Sequence, residues 1–463
     1  MSETLSRDLL DQTARALAEA LATRKVGALE LTDAAIARIE DRDRAINAVV
    51  VRDFDRAREA AKAADAALTR GDRRPLLGLP MTVKESNEVE GLPSTWGSPA
   101  FSGWVAPKDA VGVARLKAAG AIILGKTNVP PFLADWQSNN PVYGRTRNPW
   151  DLSRSPGGSS GGSAAALAAG MVPLELGSDI GGSIRVPAAF CGVYGHKPTY
   201  GLIPTRGHAP PGLDGGPIAL AVVGPLARSA ADLDLALEVL AGPEPDEAKG
   251  YVLRLPPPRH AHLTDYRALI VDSHPAVVTD SGVADAIEIL AGKLDALGCP
   301  VFRSSDLLPD LTAQHAVFGA MVGAAMSRGA PQGTTMNAHE WMNLQDAQTI
   351  IRRQWAALFE TVDVVIMPTF GTVAFPHEDE ADGNKRILTI DGRPTPYFSQ
   401  IAWPGVALLP HLPATAVPIG FTRGGLPIGA QVVGPYLEDR TTIAFAGLLE
   451  REFGGFKPPP SLT

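Results

Sequence analysis

The chain has 463 residues, 45% of them hydrophobic and 20% charged, and carries a net charge of −8. The length exceeds what one hydrophobic core usually organises and by itself suggests two or three domains, while the composition is that of an ordinary globular protein. The acidic balance gives no electrostatic footprint for nucleic acid, and no Lys/Arg run offers itself to anionic lipid.

The opening MSETLSRDLLDQTARALAEAL carries acids and has no apolar h-region, so it does not read as a secretory leader. Apolar residues three and four apart predict a helix over LLDQTARALAEAL. A second is expected over LTDAAIARIEDRD behind a Thr32 or Asp33 cap, and the Ala-rich FDRAREAAKAADAAL reads as a third. The texture changes at RPLLGLPMTVKES, a short apolar run broken by Gly and Pro that ends in a lone lysine, Lys84. AVGVARLKAAG followed by AIILGKTN reads as helix, Gly stop and buried strand. From Tyr143 to Gly207 the chain is dense in Gly, Ser and Pro, yet apolar segments keep interrupting it. Further on, YRALIVDS, GVADAIEILAGKLDALG (capped by Asp280) and CPVFR form a βαβ-like series that points to parallel pairing. TVDVVIMPTF and PIGAQVVG read as further buried strands, and LPPPRHAHL as a surface connection. The class is α/β. The two cysteines, Cys191 and Cys299, lie far apart without metal-ligand spacing, which excludes a disulfide scaffold and suits a reducing compartment. No stretch reaches about 18 uninterrupted apolar residues, so no spanning helix is expected. A cytoplasmic protein is expected.

The run SPGGSSGGS, Ser155 to Ser163, has the composition of a linker, but a linker does not thread repeatedly through apolar segments. It fails as a phosphate loop, because no lysine follows its last glycine. Gly157-Gly158-Ser159-Ser160-Gly161 fits the G-x-S-x-G pattern of a nucleophile elbow. The preceding RTRNPWDLSRSP, polar and broken by proline, is not the buried strand an elbow needs. Downstream, GSDIGGSIRVPAAF places Ser183 behind two glycines, where the backbone N–H groups of Ile180, Gly181, Gly182 and Ser183 are positioned to form an anion-binding nest. A serine at the end of its own oxyanion hole is an acyl-transfer arrangement.

Lys84 in LPMTVKES, Ser159 in SPGGSSGGS and Ser183 in GSDIGGSIRVPAAFCGVYGHKPT together resemble the amidase signature family, with its Ser–cis-Ser–Lys triad. GKTNVPPF, NPVYGRTRNPW, VVGPLARSAADL and LPATAVPIGFTRGGLPIGAQVVGPYLEDR resemble further family blocks in the family's order, so the resemblance covers nearly the whole chain. It implies one large α/β domain over 1–463 with a mixed central sheet flanked by helices. Within it, 1–70 forms a helical N-terminal part, 80–240 the signature core, and 300–345 a segment over the pocket. One departure is Glu85, which stands where Asp or Asn often follows the lysine.

Carried over, Ser183 resembles the nucleophile, Ser159 the bridging serine behind a cis Gly158–Ser159 peptide, and Lys84 the general base. The oxyanion hole is expected from Ile180 to Ser183. Ser160 and Ser178 are expected as supporting hydrogen-bond donors, and Asp179 with Arg185 as a buried ion pair under the oxyanion loop. Cys191 reads as a small core residue. Alignment with the block after GKTN places Leu133, Ala134 and Gln137 against the substrate. VFGAMVGAAMSRGAPQGTTM, Val317 to Met336, is either a lid or a core helix with its following loop, and Trp341 and Trp355 read mainly as core. The resemblance implies no metal and no cofactor. The expected activity is that of a free-standing amidohydrolase, monomer or homodimer, on small apolar amides, with carbamates (a urethanase activity) and esters also accepted. The alternative is the subunit that amidates misacylated tRNA within a complex; NAHEWMNLQDAQTIIRRQW does not look like that subunit's glutamine-recognition region.

Overall fold

In the computed structural model, which describes residues 9–213, 215–328 and 335–460, the apolar runs become strands of one sheet. The strands are β1 (Val49–Arg52), β2 (Pro80–Lys84), β3 (Ile122–Thr127), β4 (Asn139–Asn140), β5 (Gly144–Arg145), β6 (Leu174–Asp179), β7 (Tyr194–Lys197), β8 (Val222–Ala227), β9 (Ala268–Ile270), β10 (Val301–Phe302), β11 (Val364–Pro368), β12 (Ile387–Ile390), β13 (Arg393–Pro396), β14 (Ala414–Phe421) and β15 (Pro427–Val433). Eleven of them form the central sheet in the order β1-β3-β2-β6-β8-β7-β14-β15-β11-β9-β10, while β4 pairs β5 and β12 pairs β13. Pairing is parallel for β2 with β3 and β6, and for β9 with β10 and β11; the other neighbours run antiparallel. The chain is therefore a single large α/β domain built on a mixed sheet. Every residue of β2, β3, β6, β8, β11 and β15 is buried, as expected of central strands covered on both faces.

The first helices fall at Ala14–Ala22, Ala28–Ile46 and Phe54–Thr69, close to where the periodicity puts them. Two details differ. The second helix begins at Ala28, a turn before Thr32, where the Glu30 carboxylate reaches back to accept from the Gly27 N–H at 3.5 Å. The Asp65 carboxylate of the next helix also accepts from the N–H groups of Ala28 (2.6 Å) and Leu29 (3.1 Å), a cap supplied from distant sequence. The expected all-helical start also contains β1, which pairs antiparallel with β3.

Asp280 caps the helix Ser281–Ala296 as expected, with its side chain accepting from Gly282 N–H. The segment Val317 to Met336 starts inside a helix, Leu311–Met326, whose Phe318, Met321 and Val322 are buried; residues 329–334 lie outside the described residues. Trp355 is fully buried and donates its indole N–H to Gln314 Oε1 at 2.8 Å, which is core packing.

Candidate active site

Lys84 is the last residue of β2, and β6 runs parallel beside it through the pairs Thr82–Glu175 and Val83–Leu176. β6 continues past the end of β2, so Ser178 and Asp179 lie at the carboxyl end of this parallel pair, where α/β sheets commonly place their sites. Lys84 Nζ donates to Ser159 Oγ at 2.6 Å and to Ser178 Oγ at 2.8 Å. Burial holds the ammonium well below its ordinary range, and the charges of Asp179 and Glu175 oppose this only in part. Exposure rises outward, from 0% at Lys84 through 1% at Ser159 to 5% at Ser183. The amine thus lies at the dry end of the constellation and Ser183 at its more open end.

Ser155 to Ser163 is buried throughout, so the linker composition belongs to a fixed turn. The Gly158–Ser159 peptide is cis. Gly158 is required by close approach: a Cβ there would collide with the Asp135 carbonyl oxygen. Ser155 Oγ donates to the Trp136 carbonyl at 2.8 Å, and Gly161 N–H donates to Ser138 Oγ at 3.0 Å. The 133–138 segment is therefore the back wall of the serine turn.

The loop after β6 is organised by Asp179. Its carboxylate accepts from the N–H groups of Gly182 (2.8 Å) and Ile184 (3.1 Å) and from Arg185 Nε (3.0 Å). Burial alone would push this carboxyl up, but Arg185 and the backbone donors hold it below its usual value. Arg185 is in turn held by the Pro404 carbonyl at 3.2 Å and by Gln431 Oε1 at 2.5 Å. The expected nest is modified by this arrangement. Gly182 turns its N–H inward to Asp179, which leaves those of Ile180, Gly181 and Ser183 without a protein acceptor among the described residues. Gly182 itself needs φ of +94°, and a Cβ there would press on Pro404 at 2.7 Å. Ser160 N–H donates to the Ser183 carbonyl at 3.1 Å, tying the two serine loops together.

The remaining site residues fall into place unevenly. Ser160 Oγ donates to the Ser178 carbonyl at 3.3 Å. Leu133 packs on Trp96 and Val129. The Gln137 side chain is occupied on both sides, donating to the Glu378 carbonyl (3.1 Å) and accepting from its N–H (2.9 Å). Ala134 lines a cavity of about 530 Å³ together with Asp135, Glu378 and Arg386. Glu85 turns away from the amine and accepts from the N–H groups of Thr95 and Trp96, so the departure after the lysine serves the neighbouring loop. Cys191 is buried, and burial pushes its thiol up, as suits a core residue.

Sequence reasoning missed Trp136. Its indole N–H donates to the Gly181 carbonyl at 2.9 Å, and its backbone N–H donates to Tyr397 Oη at 3.2 Å. Tyr397 donates to Asp135 at 2.6 Å, and Arg386 pairs with the same carboxylate. The only signal in sequence was a tryptophan within the polar DWQSNN.

Residues 30–327 and 304–443 match the family model described as Amidase. The chain belongs to the amidase signature family. This amidase-signature protein is an enzyme acting on C–N amide bonds. It is 35% identical, over 99% of both chains, to a glutamyl-tRNA(Gln) amidotransferase subunit of Anaeromyxobacter sp. (strain K). It is similar, at a TM-score of 0.84 and 29% identity over 96% of this chain and 100% of that one, to an inhibitor-bound structure described as a vestigial protein complex that reveals the origins of an s-triazine catabolic enzyme. The corresponding glutamyl-tRNA(Gln) amidotransferase subunit of Thermotoga maritima matches at a TM-score of 0.75 and 25% identity, over 94% and 98% of the two chains.

These relatives correct the expected activity. A free-standing amidohydrolase for small apolar amides, with its carbamate, urethanase and ester branch, is overturned by whole-length kinship to amidotransferase subunits. The reason is physical: hydrolases and amidotransferase subunits of one family share its motifs, so the motifs do not separate them. The exclusion of nucleic acid from net charge is weakened likewise, since one subunit's charge does not describe that of a complex. Among the described residues no helix is long and apolar enough to cross a membrane, and no group of three His, Cys, Asp or Glu is placed to hold a metal.

Proposed function

We propose that this protein is the amide-opening subunit of an amidotransferase. It would release ammonia from a carboxamide such as that of glutamine, for amidation of glutamyl-tRNA within a complex. The observation that carries the reading is kinship along 99% of the chain with a protein of that name, in a chain that keeps Lys84 Nζ on Ser159 Oγ at 2.6 Å. The net charge of −8 fits a division of labour in which partner subunits supply the basic surface for RNA.

Ser183 Oγ attacks the carboxamide carbon as its proton passes to Ser159 Oγ and the Ser159 proton passes to Lys84 Nζ. A lysine takes that proton only when neutral, and the dry pocket provides this by disfavouring the ammonium. The carbonyl oxygen gains negative charge and accepts from the N–H groups of Ile180, Gly181 and Ser183. The C–N bond then breaks as the Lys84 ammonium returns a proton through Ser159 to the leaving nitrogen, which departs as ammonia. Water attacks the Ser183 ester, giving its proton to the same relay. The carboxylic acid leaves and Ser183 regains its hydrogen.

The test supplies the remaining amidotransferase subunits, ATP to activate the glutamyl carboxylate, and glutamyl-tRNA, with either glutamine or an ammonium salt as nitrogen source. Wild type is expected to amidate from both. Ser183→Ala and Lys84→Ala are expected to lose the glutamine-dependent reaction and keep the ammonium-dependent one. Glutamine-dependent amidation that survives Ser183→Ala, or no ammonia from glutamine with the complete complex, contradicts the proposal.

A further inference from the structure

Glu175 takes no part in the steps above, yet it shares their pocket. It lies beside Thr82 across the β2–β6 pair, and Lys84 is two residues along β2 from Thr82, so Thr82 and Lys84 point to the same face. The helix Gly161–Ala168 packs over β2, β3 and β6 there. Thr82 Oγ1 donates to Glu175 Oε1, while Thr127 of β3 and Ser163 of the helix hydrogen-bond each other at 2.9 Å alongside. Glu175 is 1% exposed, and the hydroxyls of Thr82, Ser163 and Thr127 that face it favour its carboxylate only in part against the cost of burial. A carboxyl this deeply buried, with hydroxyls about it and no cation bonded to it, is cheaper to keep protonated than ionised.

The charges that bear on this pocket are few. β2 contributes Lys84. The far end of β6 contributes Asp179, which is paired with Arg185. The helix Gly161–Ala168 has no titratable residue, and the β8 partner of Glu175 is Leu226. The helix Ala28–Ile46 also packs on β2, but its buried Arg38 is bound to Asp11 and Gly170, and its Asp43 to Ala48 and Arg52. Beyond Lys84 lies His208, which burial and the lysine hold neutral.

Resting on the base role given to Lys84, we propose that Glu175 is a positioning residue for that lysine. Protonated, it leaves the amine neutral and able to take the Ser159 proton; ionised, it stabilises the ammonium and makes the amine a stronger base. Burial pushes the Glu175 carboxyl from 4.5 up to about 8, and its charge in turn raises Lys84. The change falls at mildly alkaline pH.

A fluorophosphonate that labels Ser183 reads the relay without any amide substrate. Its labelling rate is followed from pH ~6 to ~10. Wild type is expected to show two rises, whichever comes at the lower pH: a first assigned to Lys84 losing its proton and a second, near pH 8, assigned to Glu175. The Glu175 rise is worth roughly tenfold, the scale of a unit charge appearing one side-chain layer away. Glu175→Gln is expected to keep the first rise and lose the second. Thr82→Val, which removes the hydroxyl that favours the carboxylate, is expected to move the second rise to higher pH and serves if the Gln variant does not fold. A single rise in wild type, or a second rise that neither variant alters, overturns the inference. Failure of wild type to label at Ser183 would instead remove the relay itself, and glutamine inertness with normal labelling would remove only the amidotransferase reading.

Discussion

Asp179 and Arg185 form an ion pair with 0% exposure on both side chains, and Asp179 also orients the N–H groups of Gly182 and Ile184. Removing one partner leaves the other charge buried and uncompensated, which costs about 3–5 kcal/mol. Asp179→Ala is therefore expected to lower the unfolding free energy by about 3–5 kcal/mol in urea titration; a loss below about 1 kcal/mol would contradict the pairing. At this scale the sequence drew the eye to the right segments. Ser159, Ser160, Ser178, Asp179 and Arg185 sit in or beside Gly- and Ser-rich runs, Lys84 ends a short apolar run, and the fold brings these segments together. Two features were not legible. The inward turn of the Gly182 N–H follows from where the Asp179 carboxylate lies. Glu175 in VPLELGSD looks like a solvated strand charge until β2 and a helix are seen to cover it.

Between elements, the 133–138 segment couples an outer network to the loop that would carry the oxyanion. Trp136 packs edge-on to Phe370 with centroids 5.0 Å apart and hands its indole N–H to the Gly181 carbonyl. Trp136→Phe keeps an aromatic ring there and removes that hydrogen bond. It is expected to lower kcat about tenfold with KM little changed, since a loop set for the transition state matters little to ground-state binding. A rise in KM at unchanged kcat would place Trp136 in substrate binding instead. The elements themselves were legible where periodicity is long, as in the three N-terminal helices, or where turn chemistry is explicit, as at Asp280. They were obscure where tertiary contacts decide. The four residues of β1 carry too little pattern to announce a strand, and Asp65 starts the second helix early by capping it from another helix.

For the whole molecule, the mixed sheet brings motifs about 75 and 100 residues apart to the carboxyl end of one parallel strand pair, with exposure rising from 0% at Lys84 to 5% at Ser183. That architecture was expected from the resemblance. The substrate was misread because specificity lies outside the shared motifs, and because the net charge of one chain does not describe that of a complex. In the proposed mechanism an acyl group passes through Ser183 under the control of Lys84. This is tested most directly by incubating the protein with glutamine, quenching within the first turnovers and mapping the peptides by mass spectrometry. Wild type is expected to carry a γ-glutamyl ester on the peptide bearing Ser183, and Lys84→Ala to carry none. An adduct on a different residue, or ammonia release that continues in Ser183→Ala, would contradict that mechanism.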